Sequence, residues 1–304
     1  MVKWTTASIP SQEGRSAVVT GTGGLGYEDA LELARAGAAV ILAGRDPQKG
    51  AAAVLRIRNE LPSARIRFEL LDLASLTSIA DFGERLRTQE ERLDLLINNA
   101  GVMVPPRRQE TMDGFELQLG TNYLGHFALT GQLLPLLRKS AAARVITLSS
   151  VAARDGALDF DDLNAERRYT PMPVYSQSKL ACLMFALELQ RRSEAGGWGI
   201  TSIAAHPGIS RTDLLHNAPG RRSVMGMART FLWFLFQPAW QGALPTLFAA
   251  TSPEAQPGGY YGPDRLSETR GYPAPAKVPQ QALDRINAAR LWQMSEELTG
   301  TRFA

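Results

Sequence analysis

The chain has 304 residues, 44% hydrophobic and 21% charged, with a formal net charge of +3. This is the balance of a globular protein with a sizeable core, and without a Lys/Arg run interleaved with aromatics it speaks against nucleic-acid binding. One cysteine, Cys182, excludes an internal disulfide or multi-cysteine metal site, and His126, His206 and His216 share no metal-ligand spacing, so no metal is expected. With no apolar run near the ~18 residues of a membrane span, and no secretory-type apolar segment near residue 1, a cytoplasmic protein is expected.

The elements alternate along the chain. "SAVVT" reads as a buried strand, and "YEDALELARAG" as a helix stopped by Gly37. "AAVILA" is a second strand. Asp46 and Pro47 then form a cap and first turn for a helix ending near Pro62. "RIRFELLDL" is a third strand, followed by a helix from about Ser75 to Thr88. "LDLLIN" is a fourth. A long helix is predicted from about Thr111 to Lys139, with Pro135 disturbing its end. "RVITLSS", the helix "VYSQSKLACLMFALELQRR" and the strand "GITSIAAHP" follow. Near-continuous apolar strands separated by helices predict a doubly wound, mainly parallel α/β sheet in one domain spanning 1–304.

Between the first strand and first helix stands "TGTGGLGYE". Gly21, Gly23 and Gly26 fit G-x-G-x-x-G, and the strand–loop–helix context gives the pattern meaning. Free N–H groups at a helix N-terminus attract phosphate, and glycines let the backbone approach a pyrophosphate. The second strand ends "ILAGRD". Arg45 stands where NAD-binding chains carry a carboxylate, and its planar fork suits a 2′-phosphate, whereas Asp46 is used as a helix cap. NADP is therefore expected, with NAD open.

The glycine loop is followed in order by "LLINNAG", "TNYLGHF", "ITLSS", "YSQSK" and "AAHPG". Together they resemble the short-chain dehydrogenase/reductase family, and most its retinol-dehydrogenase-like branch, over about residues 15–300. "GGYYGPD" and "RLWQMSEELTG" are similar to that branch too. The family's usual loop is T-G-x-x-x-G-x-G. Here only Thr22 and Gly23 lie between Gly21 and Gly24-Leu25-Gly26, one residue fewer. The epimerase-like spacing would need glycine in place of Tyr27.

The resemblance implies a Rossmann-type fold and NADP(H)-dependent interconversion of an alcohol and its carbonyl compound. It implies that Gly21, Thr22, Gly23, Gly24, Leu25, Gly26 and Arg45 hold the pyrophosphate and adenosine. Asp72 and Leu73 would border the adenine, and Asn99, Ala100 and Gly101 would line the cleft. Pro207, Gly208, Ile209 and Thr212 would border the nicotinamide. Tyr175 and Lys179, four apart on one helix face, would be the proton-exchanging phenol and its neighbouring ammonium, which also binds the ribose. A free phenol titrates near 10, and a cation beside it favours the phenolate. Ser150, the second serine of its pair, would hydrogen-bond the developing alkoxide. Asn122 matches the helix asparagine that holds a relay water.

Cys182 and His206 read as structural. Residues 213–237, rich in methionine and aromatics, read as a helical substrate lid favouring bulky lipophilic substrates; a core-packed helix or an interfacial membrane helix are the other readings. Many members pair through helices equivalent to about 111–139 and 174–193, which makes a homodimer the expectation by analogy. A cofactor-binding sensor without turnover is the alternative function.

Overall fold

The sheet grows outward from a central apolar strand. β1 (Ser16–Thr20) is buried at four of its five positions and pairs in parallel with β2 (Ala39–Gly44) on one side and β4 (Leu95–Asn98) on the other. β3 (Ile66–Leu70) continues beyond β2. β5 (Ala143–Leu148), β6 (Ile200–Ala205) and β7 (Tyr260–Arg265) continue beyond β4, all parallel. β8 (Arg270–Pro275) closes the edge antiparallel to β7, giving the order β3-β2-β1-β4-β5-β6-β7-β8. The computed structural model describes residues 3–210 and 237–303.

Helices cover both faces. α1 (Gly24–Arg35), α2 (Pro47–Glu60) and α6 (Ala239–Thr251) pack on the face carrying Val19, Leu42 and Ile97. α3 (Leu76–Gln89), α4 (Gly125–Leu137), α5 (Pro171–Gly196) and α7 (Arg285–Thr299) pack on the face carrying Val18, Ile41 and Leu96. Strands buried on both faces are apolar throughout because both side-chain directions meet helices. The doubly wound single-domain expectation holds.

The local signals act as their chemistry predicts. Asp46 Oδ1 accepts from the backbone N–H of Gln48 and Lys49 at 3.0 and 3.1 Å, and Ser75 accepts from that of Ser78 at 3.2 Å. Gly37 follows α1 at φ +100°, a conformation that side chains rarely adopt.

Several elements differ from expectation. No helix starts at Thr111. Its Oγ1 accepts from the N–H of Phe115 at 3.1 Å and Gly114 adopts φ +82°, so residues 111–115 close a turn instead. A π-helical turn, Leu119–Leu124, then leads into α4, with Gly125 N donating to Gly120 O. The β7–β8 hairpin, α6 and α7 had no counterpart in the predicted elements. Pro263, Pro273 and Pro275 mask the strands; Pro273 and Pro275 are tolerated on the edge strand β8, and Pro263 lies beyond the residues of β7 that pair with β6.

The outward faces of α4 and α5, where pairing was expected, are covered within the chain. Trp292 of α7 stacks on Phe185 at 5.8 Å and meets Phe127 at 5.0 Å, and Phe303 packs on Phe127 at 5.0 Å. A partner approaching those faces would meet Trp292 and Phe303 as well as α4 and α5. The expected lid, 213–237, lies outside the described residues except for Gln237. No helix among the described residues is long and apolar enough to cross a membrane.

Candidate active site and cofactor cleft

A cavity of about 650 Å³ opens at the C-terminal ends of β1, β2 and β4. This is the crevice where doubly wound sheets bind ligands, because strand order reverses there. Gly21 through Leu25, Arg45, Asp72, Leu73 and Asn99 through Gly101 line it. Gly21 turns the chain at φ +97° and Gly24 opens α1 at φ +52°. Gly26 lies beneath the turn. A Cβ there would sit 2.3 Å from Gly21 O and 2.6 Å from Asn99 Nδ2, so only glycine lets helix, loop and strand close up. The shortened loop therefore still delivers a helix N-terminus to the cavity. Cleft size, glycine floor and free helix-end N–H groups fit a dinucleotide.

The side of the cavity next to β2 and α2 is rich in cations. Arg45, Lys49 and Arg56 line the cavity and are exposed, and Arg56 lies over the Tyr27 ring at 4.3 Å. Lys49 and Arg56 were missed in the sequence, although Lys49 is one helical turn from the Asp46 cap. Asp72 Oδ1 accepts from Ala74 N at 3.0 Å, shaping the turn that presents Leu73. Asn99 Nδ2 donates to Thr20 O at 2.6 Å, pinning the β4 loop to β1.

The end that carries Tyr175 and Lys179, the candidate catalytic residues, is buried and stitched together. The hydroxyls of Ser149 and Ser150 have different partners. Ser149 Oγ donates to Lys179 O at 2.7 Å, while Lys179 Nζ donates to Leu148 O at 3.0 Å. This reciprocal clamp fixes the end of β5 against α5. Ser150 caps the short turn Val151–Asp155, accepting from Ala152 N at 3.2 Å. Ala152, Val104 and the Tyr175 ring form an apolar cluster with Met103 beside it. The clamp and this cluster bring Ser150, Tyr175 and Lys179 to one end of the sheet. Lys179 Nζ lies 3.7 Å from where a Gly101 Cβ would be, which joins this group to the cleft.

Asn122 is 1% exposed. Its Oδ1 accepts from Val102 N at 2.7 Å and its Nδ2 donates to Val102 O at 3.0 Å, so the side chain holds the backbone next to Gly101. Pro207, Gly208 and Ile209 follow β6 beside the Ser149 strand end. Gly208, at φ +61°, leaves no room for a side chain against Thr269 O. These three residues do not line the cavity, and Thr212 lies outside the described residues.

His206 is fully buried. Its Nε2 lies 3.1 Å from Glu268 Oε2, and Gly208 N donates to its Nδ1 at 3.3 Å. Glu268 also pairs with Arg154 at 2.6 Å, so one carboxylate ties the turn after Ser150, the end of β6 and the β7–β8 hairpin. Against partial burial, the bonds from His206 and Lys277 N and the charge of Arg154 hold the Glu268 carboxyl down to about 2. Burial pushes the Cys182 thiol up, and its Sγ donates to Asn122 O at 3.1 Å, a core role.

Comparison with known proteins agrees with this architecture. Residues 15–222 match the family model described as short chain dehydrogenase. Mouse retinol dehydrogenase 13 is 42% identical, over 98% of this chain and 86% of its own. Mouse polyprenol dehydrogenase is also 42% identical, over 96% and 86%. A crystal structure of a protein from Mycobacterium paratuberculosis shares 40% identity at a TM-score of 0.82, with both chains fully covered. The NADP complex of RhlG from Pseudomonas aeruginosa shares 26% identity at a TM-score of 0.65, over 82% of this chain and 94% of its own. With the glycine-floored cleft and a match of this extent, the chain belongs to the short-chain dehydrogenase family, in its retinol-dehydrogenase-like branch, and is an NAD(P)-dependent alcohol dehydrogenase of that type.

Proposed function

We propose that the protein interconverts a bulky, lipophilic alcohol and its ketone or aldehyde, with NADP(H) as the preferred cofactor and Tyr175 as the acid/base. The observation that carries this reading is the reciprocal Ser149–Lys179 and Lys179–Leu148 clamp. It occupies the Ser149 hydroxyl, which supports Ser150, two residues before the Ala152 that packs with Tyr175, as the serine that acts.

In this mechanism the glycine loop and α1 N-terminus hold the pyrophosphate, and Arg45, with Lys49 and Arg56 nearby, meets the 2′-phosphate. Asp46 is engaged as a cap, which supports NADP over NAD. The nicotinamide, when bound, supplies or accepts the hydride. Ser150 orients the substrate oxygen and stabilises charge developing on it. Tyr175 gives that oxygen a proton in reduction and takes it back in oxidation, while Lys179 holds positive charge beside the phenol. The apolar wall of Met103, Val104 and Ala152 favours a lipophilic substrate and excludes water. The names of the retinol and polyprenol dehydrogenases support the same substrate class.

The test follows NADPH and NADH absorbance with a matched series of ketones and aldehydes of rising apolar size. kcat/KM should rise along the series and be higher with NADPH. A flat series, or best activity on a polyol, rejects the lipophilic assignment. Cofactor binding without turnover of any carbonyl compound favours the sensor.

A further inference from the structure

His126 is a buried histidine that the mechanism does not use, and it is bonded to residues of both sides of the cleft. It is 2% exposed, on the first turn of α4. Its Nδ1 is 2.9 Å from Asn122 O, and its Nε2 is 2.9 Å from Thr20 Oγ1. A carbonyl can only accept, so Nδ1 carries the proton. Burial, with a smaller push from the Lys179 ammonium, holds the ring's pKa near 4 despite the bond to Asn122, so the ring is neutral and Nε2 is bare. Thr20 Oγ1 therefore donates to Nε2. The other destination for its single proton, Ile97 O, is farther at 3.2 Å. The same Thr20 oxygen accepts from Asn99 N at 2.9 Å and Ala100 N at 3.0 Å.

We propose that His126 is a positioning residue that ties the Asn122 carbonyl, on the catalytic side, to the Thr20 hydroxyl under the cofactor loop, so that both sides of the cleft share one geometry. On one side stand Gly21, continuous with Thr20, and the Asn99–Ala100 backbone. On the other stands Asn122, whose side chain holds Val102 next to Gly101. The π-helical turn changes the helical register here and offers a carbonyl to side chains. Asn122 O already takes two side-chain donors, His126 and Cys182, so a relay water there would be a third. The carbonyl thus serves to fix the helix against the cofactor floor. This inference rests on the dehydrogenase reading.

Two substitutions divide the bridge. His126→Asn keeps a donor for the Asn122 carbonyl and loses Thr20. His126→Gln keeps an acceptor for Thr20 and loses the carbonyl. The first should weaken NADPH binding, read by fluorescence titration, about fivefold with saturated kcat nearly unchanged. The second should lower kcat about tenfold with NADPH affinity nearly unchanged. Nitrogen NMR of the wild type should show a protonated Nδ1 and a bare Nε2 throughout neutral pH. If both variants merely melt earlier, with unchanged affinity and kcat while folded, His126 is packing and the proposal falls; the opposite tautomer also overturns it. The titration needs no substrate. A wild type that binds NADPH but reduces no carbonyl compound defeats the dehydrogenase reading, and the binding contrast between the variants still decides this one.

Discussion

The two ends of the cleft are built on opposite principles. At the end next to β2 and α2, Arg45, Lys49 and Arg56 are exposed on long side chains. At the Tyr175 end, Tyr175 and Lys179 are each 5% exposed, and Lys179, within α5, is fixed by hydrogen bonds with Leu148 and Ser149 at the end of β5. Exposed cations recognise charge without a fixed geometry, because water screens them and their side chains reorient. Buried, bonded groups are already placed before ligand arrives, which transition-state stabilisation requires. On the proposed function, one chain thus separates cofactor choice, read by charge, from chemistry, set by position.

That contrast can be broken in graded steps. The largest effect should come from Tyr175→Phe, which removes a proton donor and little volume. Turnover should fall by about 10²–10⁴ while NADPH affinity stays nearly constant. Near-normal steady-state activity in the purified variant would show that position at the buried end does not set the chemistry.

Next comes Gly26→Ala, between the two ends. The new Cβ meets backbone, Gly21 O, which cannot rotate away as a long side chain could. A destabilisation of about 1–3 kcal/mol is expected, with cofactor affinity reduced more than the fall in Tm alone would suggest. Calorimetry with and without NADPH separates the two. A variant that binds NADPH normally would mean the loop tolerates a wider turn.

Arg45→Ala should be milder and selective. NADPH should weaken roughly tenfold, on the scale of one charge-assisted hydrogen bond, with NADH little changed. Equal losses would mean the 2′-phosphate is met elsewhere, with Lys49 and Arg56 next to be substituted.

The smallest effect sharpens the comparison by asking whether burial alone makes a polar group useful. Asp29 on α1 is fully buried, and neither carboxylate oxygen has a hydrogen-bond partner among the described residues. Burial first, then the charge of Glu28, raises its pKa well above the ordinary aspartate value. The folded state therefore holds this proton longer than the unfolded chain. Asp29 then subtracts stability as pH rises above about 4, until the folded form too has titrated. Asp29→Asn cannot ionise. Its Tm should exceed the wild type's at pH 8, by roughly 2 °C per kcal/mol recovered, and the gap should narrow towards pH 4. A variant that is equally less stable at both pH values would refute the assignment.

Much of this was legible in the sequence because it depends on local rules. Asp46 announces a cap and Gly37 a stop. Thr111 misled, since the apolar periodicity begins before the helix does and the competing Thr111–Phe115 turn depends on Gly114. The π-helical turn leaves no mark in composition, because one extra residue per turn preserves the apolar stretch. The β7–β8 hairpin was hidden by prolines and by Leu266, Ser267 and Glu268, three non-glycine residues at positive φ. His126 and Glu268 gain their meaning only from partners distant in sequence, Thr20 in one case and Arg154 and His206 in the other.

The aromatic seam of Phe127, Phe185, Trp292 and Phe303 has a consequence for concentration. A helix surface completed by a second subunit is exposed again on dilution, and its stability follows mass action. Here the covering segment is tethered to what it covers, so its local concentration does not depend on how many molecules share the solution. The backbone of α5, which carries Tyr175 and Lys179, is thus supported from within its own chain. Specific activity should stay level as the protein is diluted from micromolar to nanomolar.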